Sequence, residues 1–175
     1  WNERARTREP GKMSPRMAWR AITSVLPKDA IISSDIGNNC AIGNAYPTFE
    51  KGRKYLAPGL FGPCGYGFPA ICGAKIAQPD VPVVGFAGDG AFGISMNEMV
   101  SVGRDEWPPI TMIIFRNYQW GAEKRNTTLW FDDNFVGTEL DTDVTYAGIA
   151  QQCGVKGVQV DGMDALAEAL DKACL

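Results

Sequence analysis

The chain has 175 residues, 45% of them hydrophobic and 21% charged, which fits one globular domain with a full apolar core and excludes a disordered or collagen-like chain. Its net charge of −3 lacks the basic excess that binding to nucleic acid or an anionic membrane requires. The sequence contains no histidine, so Ser-His-Asp and Cys-His catalysis and histidine-based zinc sites are excluded.

The cysteines and the start of the chain bear on where the protein works. The five cysteines are an odd number without a C-x-x-C pair, so neither a disulfide framework nor a cysteine-only zinc site is indicated. No apolar run approaches the roughly 20 residues of a membrane span, and the first residues do not resemble a signal peptide. We therefore expect a cytoplasmic protein, and Trp1 in place of Met indicates a fragment of a longer one.

The domain is expected to begin near residue 14. Residues 1–13 are charged and interrupted by Pro and Gly, and we interpret them as a linker or arm from a missing N-terminal part. Ser14 is a good N-cap and Pro15 suits the first helical position, so a helix is predicted there, and Pro27 ends it. Its apolar face would contain Met17, Ala18, Ala21, Ile22, Val25 and Leu26.

Strand and helix patterns alternate through residues 14–175. Apolar runs of strand length lie at residues 30–34, 81–87 and 110–115, with a weaker one at 156–160. Helical patterns lie at residues 66–77, 94–103, 143–152 and 163–173. This alternation predicts an α/β fold with a doubly wound, mostly parallel sheet flanked by helices. Ligands bind such sheets at the carboxyl ends of the strands, where we expect the loops 35–39, 88–93 and 116–121.

Residues 88–93 form a glycine-rich turn between a strand and a helix and satisfy G-x-G-x-x-G, the pattern of a dinucleotide site. Asp89 argues against that site, because a carboxylate in the turn repels a pyrophosphate unless a divalent cation lies between them. The next strand ends in Arg116 and Asn117, without the acidic residue that would hold an NAD ribose. Arg116 could suit the 2′-phosphate of NADP, so an NADP-dependent oxidoreductase stays open as an alternative.

A magnesium ion would reconcile Asp89 with a phosphate ligand. Asp89 and Asn117 follow adjacent predicted strands and offer the hard oxygen ligands that Mg²⁺ prefers, while diphosphate oxygens would supply others. The glycines of the turn would expose backbone N–H groups to phosphate at a helix N-terminus. An ordinary helix N-cap is the alternative role for Asp89, and the residues alone do not decide between the two.

The turn and its surroundings resemble a known cofactor motif. Gly88-Asp89-Gly90, a helix, an apolar strand and then Asn117, 28 residues after Asp89, resemble the motif of thiamine-diphosphate enzymes. Residues 59–70 are similar to the segment that holds the aminopyrimidine and thiazolium rings in the acetolactate synthase-like group. The resemblance covers residues 14–175 and implies the diphosphate-binding domain of such an enzyme, with thiamine diphosphate and Mg²⁺ as cofactors.

Within that group, residues 34–43, 62–67 and 115–126 resemble the sulfoacetaldehyde acetyltransferase family, which converts sulfoacetaldehyde and phosphate into acetyl phosphate and sulfite. The resemblance implies a domain of a thiamine-diphosphate enzyme with this activity. An acetolactate synthase or a related 2-keto acid decarboxylase or carboligase is the alternative within the group. A free-standing cofactor-binding module is the alternative outside enzymes.

The resemblance also implies roles for individual residues. The metal ligands would be the side chains of Asp89 and Asn117 and the backbone carbonyl of Gln119. The Gly62 carbonyl would accept a hydrogen bond from the 4′-amino group of the pyrimidine, and Cys64 would lie under the cofactor, where many relatives carry a larger apolar residue. The expected cofactor contacts are Gly37, Asn38, Gly62, Cys64, Gly88, Gly90, Ala91 and Gly121, with Gly90 and Ala91 donating backbone N–H groups to the diphosphate.

Partners follow from the same resemblance. The activating Glu of this group belongs to a pyrimidine-binding domain, normally of a neighbouring subunit, so we expect a homodimer or homotetramer, no catalytic residue in this chain and no turnover by the chain alone.

Lys124 and Arg125 are candidates for binding the anionic substrates, although two solvated surface charges explain the pair equally well. Asp35 is interpreted as a residue that orders its loop. The aromatic residues Trp120, Trp130 and Phe131 are expected at an interface.

Overall fold

The computed structural model describes residues 13–49, 52 and 54–173, so the linker predicted for residues 1–13 lies almost wholly outside the described part. The elements in chain order are α1 (Pro15–Val25), β1 (Ile31–Ser34), α2 (Asn38–Gly43), β2 (Tyr55–Leu56), α3 (Gly67–Ala77), β3 (Val83–Gly88), α4 (Asp89–Ser95), a 3-10 turn (Met96–Glu98), α5 (Met99–Val102), β4 (Thr111–Phe115), α6 (Gly121–Trp130), α7 (Tyr146–Gln152) and α8 (Met163–Ala173). None of these helices is long and apolar enough to cross a membrane.

The four strands form one parallel sheet in the order β2-β1-β3-β4. Ser34 at the end of β1 lies opposite Phe86, and Gly88 at the end of β3 lies opposite Phe115. The two central strands are buried along almost their whole length, as a parallel sheet covered on both faces requires. The predicted parallel α/β fold is confirmed.

Helices cover both faces of the sheet and give two apolar clusters. Alternate residues of a strand point to opposite faces, so Val84 and Phe86 join one cluster while Val83 and Ala87 join the other. The first cluster contains Trp19 and Ile22 of α1 together with Leu166 and Leu170 of α8. The second contains Phe68 and Ile71 of α3, Phe92 of α4, Met99 of α5 and Ala150 of α7. The sheet is therefore wound on both sides, with its strand ends left free for a site.

The prediction of a weak fourth strand at residues 156–160 is wrong. That stretch does not pair with the sheet, and Val158 is 74% exposed. Instead the fourth strand is β2, where Ile32 lies opposite Tyr55 and the Ile32 N–H donates to the Lys54 carbonyl at 2.8 Å. Two residues carry too little periodicity for a sequence pattern to show, so this strand is defined by its backbone pairing with β1 alone.

The helices differ from their predictions in three places. The helix predicted at 94–103 begins already at Asp89 and is interrupted by the 3-10 turn, because its first residues follow directly from β3. Helix α2 was not predicted, since it is only six residues long and begins inside the predicted loop 35–39. Helix α6 was not predicted either, because it has no buried residue and so no apolar face.

Helix α1 follows its prediction in extent but not in its most buried residue. Ser14 and Pro15 begin it as expected, although the Ser14 side chain makes no capping hydrogen bond. Trp19, which lay outside the predicted apolar face, is 1% exposed, whereas Val25 is 39% exposed. The Trp19 ring packs on Gly43 of α2 so closely that a Cβ there would lie 2.4 Å from it. Gly43 thus lets α1 and α2 approach.

Candidate functional site

The site lies where β1, β3 and β4 end, and Asp89 is at its centre. Asp89 is the first residue of α4 and is 2% exposed. Its Oδ2 accepts hydrogen bonds from the backbone N–H groups of Asn117 at 3.2 Å and Tyr118 at 2.7 Å. Asp89 Oδ1 accepts one from the Gly90 N–H at 3.1 Å. The carboxylate therefore joins the start of α4 to the loop after β4.

The geometry gives Asp89 more than the N-cap role that was its alternative. The cap position is occupied by Gly88, whose backbone is extended, and no side chain caps the helix. An N-cap side chain would accept from the next turn of its own helix, whereas Oδ2 of Asp89 accepts from a loop 28 and 29 residues away. The Asp89 carboxylate therefore makes both a local contact at the start of α4 and a long-range contact to the Asn117 loop.

Asn117 and Gln119 place two further oxygens beside Asp89. In the structure the Asn117 amide oxygen lies 2.9 Å from the Gln119 carbonyl oxygen and 3.2 Å from Asp89 Oδ1. Acceptor oxygens this close repel one another unless a cation or a donor joins them. Without a cation, rotation of the amide by half a turn would direct its NH₂ at both oxygens. The arrangement suits either an internal amide donor or a shared cation.

The donor set fits a magnesium ion. Octahedral ligands at 2.0–2.1 Å from Mg²⁺ lie about 2.9 Å from their neighbours, close to the two oxygen separations at Asn117. Carboxylate, amide and carbonyl oxygens are also the ligand types that Mg²⁺ prefers. In the described ranges no three His, Cys, Asp or Glu side chains lie together. The predicted ligand set does not depend on such a cluster, because it contains a single carboxylate beside an amide and a backbone carbonyl.

The loop that carries these two residues, here called the Asn117 loop (residues 116–121), turns sharply at Tyr118. Tyr118 has φ +59°, in the left-handed region that a bulky residue rarely adopts. This turn lets the Asn117 side chain and the Gln119 carbonyl face the same side. Gly121 then begins α6, and a Cβ there would lie 2.8 Å from Asn117 Nδ2 and 3.0 Å from Asn38 Nδ2.

The loop after β1 contributes the expected residues and one that was missed. Gly37 has φ +131°, which disfavours any other residue, and Asn38 is exposed at the start of α2. Asn39 is 8% exposed, and its Nδ2 is buried without a hydrogen-bond partner in the structure. A Cβ at Gly88 would lie 3.6 Å from Asn39 Oδ1. Asn39 therefore lies between the first loop and the glycine turn, and only its position next to Asn38 could have indicated it.

Asp35 holds the cofactor loop (residues 59–67) against the end of β1. It is fully buried, and its Oδ1 accepts from the N–H groups of Ile36 at 2.8 Å and Gly65 at 3.0 Å. Its Oδ2 accepts from the Gly67 N–H at 2.7 Å. Gly67 is the first residue of α3, so the carboxylate also lies where a helix favours negative charge. These three hydrogen bonds agree with the interpretation of Asp35 as a residue that orders its loop.

The cofactor loop carries Gly62 and Cys64. Gly62 has φ +55°, and a Cβ there would lie 3.5 Å from the Ile36 side chain, so the loop passes close to the first strand end. Burial raises the pKa of the Cys64 thiol, and the negative charges of Asp35 and Glu123 raise this pKa further. Cys64 therefore stays a protonated thiol at neutral pH, which argues against a nucleophilic role.

The glycine turn packs tightly under an aromatic ring. A Cβ at Gly90 would lie 2.9 Å from the Trp120 ring, so only glycine fits there. The Gly90 N–H is directed at Asp89 Oδ1, and Ala91 is 4% exposed. The structure thus brings the turn and the Asn117 loop together at one edge of the sheet. Of the expected interface residues, Trp120 is half-buried in this contact, whereas Trp130 and Phe131 are 75% and 68% exposed.

The candidate anion residues differ in their surroundings. Lys124 Nζ forms an ion pair with Glu139 at 2.5 Å and lies 5.0 Å from the centre of the Phe135 ring. This ion pair lowers the pKa of Glu139. Arg125, the next residue of α6, is exposed. Of the two, Arg125 has its guanidinium at the surface, while the charge of Lys124 is already balanced.

The Arg116 guanidinium binds groups of its own chain, whereas an NADP-dependent enzyme would need it at the 2′-phosphate. Its Nη2 donates to the carbonyl of Thr142 at 3.0 Å and to that of Val144. Its guanidinium lies 4.3 Å from the centre of the Tyr118 ring. Because Arg116 is bound to residues of its own chain, the observation that favoured an NADP-dependent oxidoreductase no longer supports it.

Comparison with known proteins agrees with this geometry. The family described as thiamine pyrophosphate enzyme, C-terminal TPP binding domain, matches residues 35–174. Over 173 residues the chain is 75% identical to a sulfoacetaldehyde acetyltransferase of Rhodobacter capsulatus and 74% identical to one of Roseovarius nubinhibens, covering 99% of this chain and 29% of each relative. It is 25% identical over 145 residues to the acetolactate synthase isozyme 2 large subunit of Escherichia coli, covering 83% of this chain and 26% of that protein. The chain thus spans less than a third of the curated relatives it matches.

Proposed function

The chain belongs to the thiamine pyrophosphate enzymes, as their C-terminal TPP-binding domain, and from this premise we propose that it binds thiamine diphosphate through Mg²⁺ in a sulfoacetaldehyde acetyltransferase. One observation carries the metal part of the proposal: the Asn117 side-chain amide converges with the Gln119 carbonyl oxygen and with Asp89 Oδ1, at 2.9 and 3.2 Å. Identities near 75% over 99% of the chain support the choice of substrate. The acetolactate synthase alternative rests on a more distant relationship, at 25% identity.

The chain's own residues would divide the work of binding. Asp89, Asn117 and the Gln119 carbonyl would hold Mg²⁺, and the N-terminus of α4 with Gly90 and Ala91 would face the diphosphate. Gly37, Asn38, Gly88 and Gly121 would line the same end of the site.

The second half of the site would orient the cofactor's rings. Asp35 fixes the cofactor loop through two hydrogen bonds, from the Gly65 and Gly67 N–H groups, so the Gly62 carbonyl and Cys64 are held in place before any ligand binds. When bound, thiamine diphosphate would supply the carbanion chemistry at the aldehyde carbon that allows sulfite to leave from the neighbouring carbon, so that a carbon–sulfur bond breaks and the two-carbon unit stays intact. The protein would supply position, charge balance and exclusion of water. The complete enzyme would then convert sulfoacetaldehyde and phosphate into acetyl phosphate and sulfite.

The proposal also includes a second domain that lies outside this chain and two residues of this chain that would attract the substrates. A pyrimidine-binding domain, normally of a neighbouring subunit, would supply the activating Glu in a homodimer or homotetramer. Lys124 and Arg125 are proposed to attract the anionic substrates, with Arg125 the stronger candidate because Lys124 is paired with Glu139. A guanidinium is suited to forked contacts with tetrahedral oxyanions.

Two measurements test the proposal. Calorimetry of the complete polypeptide should show thiamine diphosphate binding that requires Mg²⁺, with no binding of NADPH. Asp89→Ala and Asn117→Ala should each abolish the Mg²⁺-dependent part, because each removes a ligand oxygen. Near-normal affinity in either variant would contradict the metal assignment. Release of sulfite from sulfoacetaldehyde only when phosphate is present would establish the reaction, whereas acetolactate formation from pyruvate would favour the alternative.

A further inference from the structure

The Asn117 loop is held by a second segment that no motif includes. This brace segment (residues 138–146) runs antiparallel to the loop, with Gln119 paired to Glu139. The Trp120 N–H donates to the Thr138 carbonyl at 2.8 Å, and the Leu140 N–H donates to the Tyr118 carbonyl at 2.9 Å. The backbone on both sides of the Gln119 carbonyl is therefore fixed by hydrogen bonds.

Arg116 joins the two ends of this arrangement. Its guanidinium donates to carbonyls of the brace segment at Thr142 and Val144 and lies over the ring of Tyr118. A stacked, hydrogen-bonded guanidinium is a rigid contact, which an ammonium group does not reproduce. The contact falls on Tyr118, whose left-handed backbone is unfavourable for a residue other than glycine. Arg116 thus stabilises the conformation that turns the Asn117 loop.

Tyr146 reaches the same place from α7. Its hydroxyl donates to the backbone carbonyl of Asp89 at 2.8 Å, and its ring meets Phe92 edge-on at 5.4 Å. The hydroxyl oxygen lies 3.2 Å from the position that a Cβ at Gly93 would occupy, so α4 and α7 are in close contact there. The backbone of Asp89 is therefore fixed from the brace segment as well as from its own helix.

We propose that Tyr146 and Arg116 are positioning residues that set the distance and direction of the Gln119 carbonyl relative to Asp89 and Asn117. The inference rests on the proposed function, because it concerns the oxygen set to which Mg²⁺ would bind. Neither the Tyr146 nor the Arg116 side chain is among the groups proposed to bind the ion. Tyr146 acts through the backbone of Asp89, and Arg116 acts through Tyr118 and the brace segment, which fix the backbone beside the Gln119 carbonyl.

Ion selectivity distinguishes positioning from a general contribution to stability. Mg²⁺ requires a near-ideal octahedron at 2.0–2.1 Å, whereas Ca²⁺ accepts irregular sites at 2.3–2.6 Å. A displaced carbonyl should therefore weaken Mg²⁺ binding more than Ca²⁺ binding. A variant that only destabilises the fold should weaken both equally.

The experiment is calorimetric titration of Mg²⁺ and of Ca²⁺ into the complete polypeptide in the presence of the same fixed excess of thiamine diphosphate. Tyr146→Phe keeps the ring and removes the hydrogen bond to Asp89, and we expect its Kd for Mg²⁺ to rise about fivefold and its Kd for Ca²⁺ less than twofold. Tyr46→Phe is the matched control, because the Tyr46 ring stacks on Trp19 on the α1 side of the sheet. Its two Kd values should not change.

Arg116→Lys is the second variant and decides the matter if Tyr146→Phe does not fold. It keeps the charge but loses the planar stack, and the Kd for Mg²⁺ should rise about tenfold with a smaller change for Ca²⁺. Equal losses for both ions, or Kd values like those of the unmodified protein, would overturn the inference. If the unmodified protein binds thiamine diphosphate without any metal, the proposed function itself fails, and that result is distinct from a failure of the variants.

Discussion

Removal of the Asp35 carboxylate should free the cofactor loop while leaving the sheet intact. Asp35→Asn keeps an oxygen that can accept from Ile36 and Gly65, but it directs an NH₂ group at the Gly67 N–H. Asp35→Ala removes all three acceptor contacts. Hydrogen bonds to a charged group contribute about 1.5–3 kcal/mol each, and relief of the carboxylate's desolvation offsets part of the sum. We expect local losses of about 2 kcal/mol for Asn and about 3 kcal/mol for Ala.

Hydrogen exchange measures this loss where it occurs. A loss of 1.4 kcal/mol corresponds to a tenfold change in an opening equilibrium, so amides of residues 59–67 should exchange about 30-fold faster in Asp35→Asn and about 100-fold faster in Asp35→Ala. Peptides from β3 should be unchanged. Asp29→Asn, at the exposed opposite end of β1, is the control and should leave the loop protected. Unchanged exchange at Gly65 and Gly67 in Asp35→Asn would refute the assigned role.

Three further changes test other parts of the site. Cys64→Met should leave cofactor affinity unchanged or raise it and Cys64→Gly should lower it, because contact area and not sulfur chemistry is proposed to matter; a large loss of turnover in Cys64→Ser with binding retained would contradict this. Arg125→Ala should raise the Michaelis constant for phosphate or sulfoacetaldehyde about tenfold, or about 1.4 kcal/mol, and Lys124→Ala less, with cofactor affinity unchanged in both; steady-state kinetics in which neither constant moves would place the anion site elsewhere. The chain expressed alone should bind thiamine diphosphate weakly in calorimetry and release no acetyl phosphate, and substantial turnover would show that it needs no second domain.

The sheet was predictable from the sequence where burial leaves a strong pattern. β1, β3 and β4 are short apolar runs followed by Asp35, Asp89 and Asn117, so both the fold and the edge that holds the site follow from the residues. β2 and α6 were not predictable by the same means. Tyr55–Leu56 is defined by pairing with β1, and α6 has no buried side chain, so neither leaves an apolar periodicity.

The candidate site was predictable only in part. The motif indicated Asp89 and Asn117, since their types and spacing are tied to phosphate and metal chemistry. It could not indicate Tyr146 or Asn39, because their roles depend on which distant backbone atoms the fold brings near them. Arg116 was considered from its type only as a 2′-phosphate ligand in the NADP alternative, whereas the structure joins it to Thr142 and Val144. The pattern of residue types does not show which backbone carbonyls a side chain will bind.

Several of the hydrogen bonds that assemble the site join parts of the chain that are far apart. Asp35 bonds to loop residues 30 and 32 positions away, Asp89 to residues 28 and 29 positions away, and Tyr146 to a residue 57 positions away. We expect contacts of such high sequence separation to form late in folding, because long loops must close first. A ligand of this site would therefore act after the folding barrier has been crossed. The bound ligand would lower the unfolding rate and leave the folding rate nearly unchanged. The ligand would therefore stabilise the protein mainly by lengthening the lifetime of the native state.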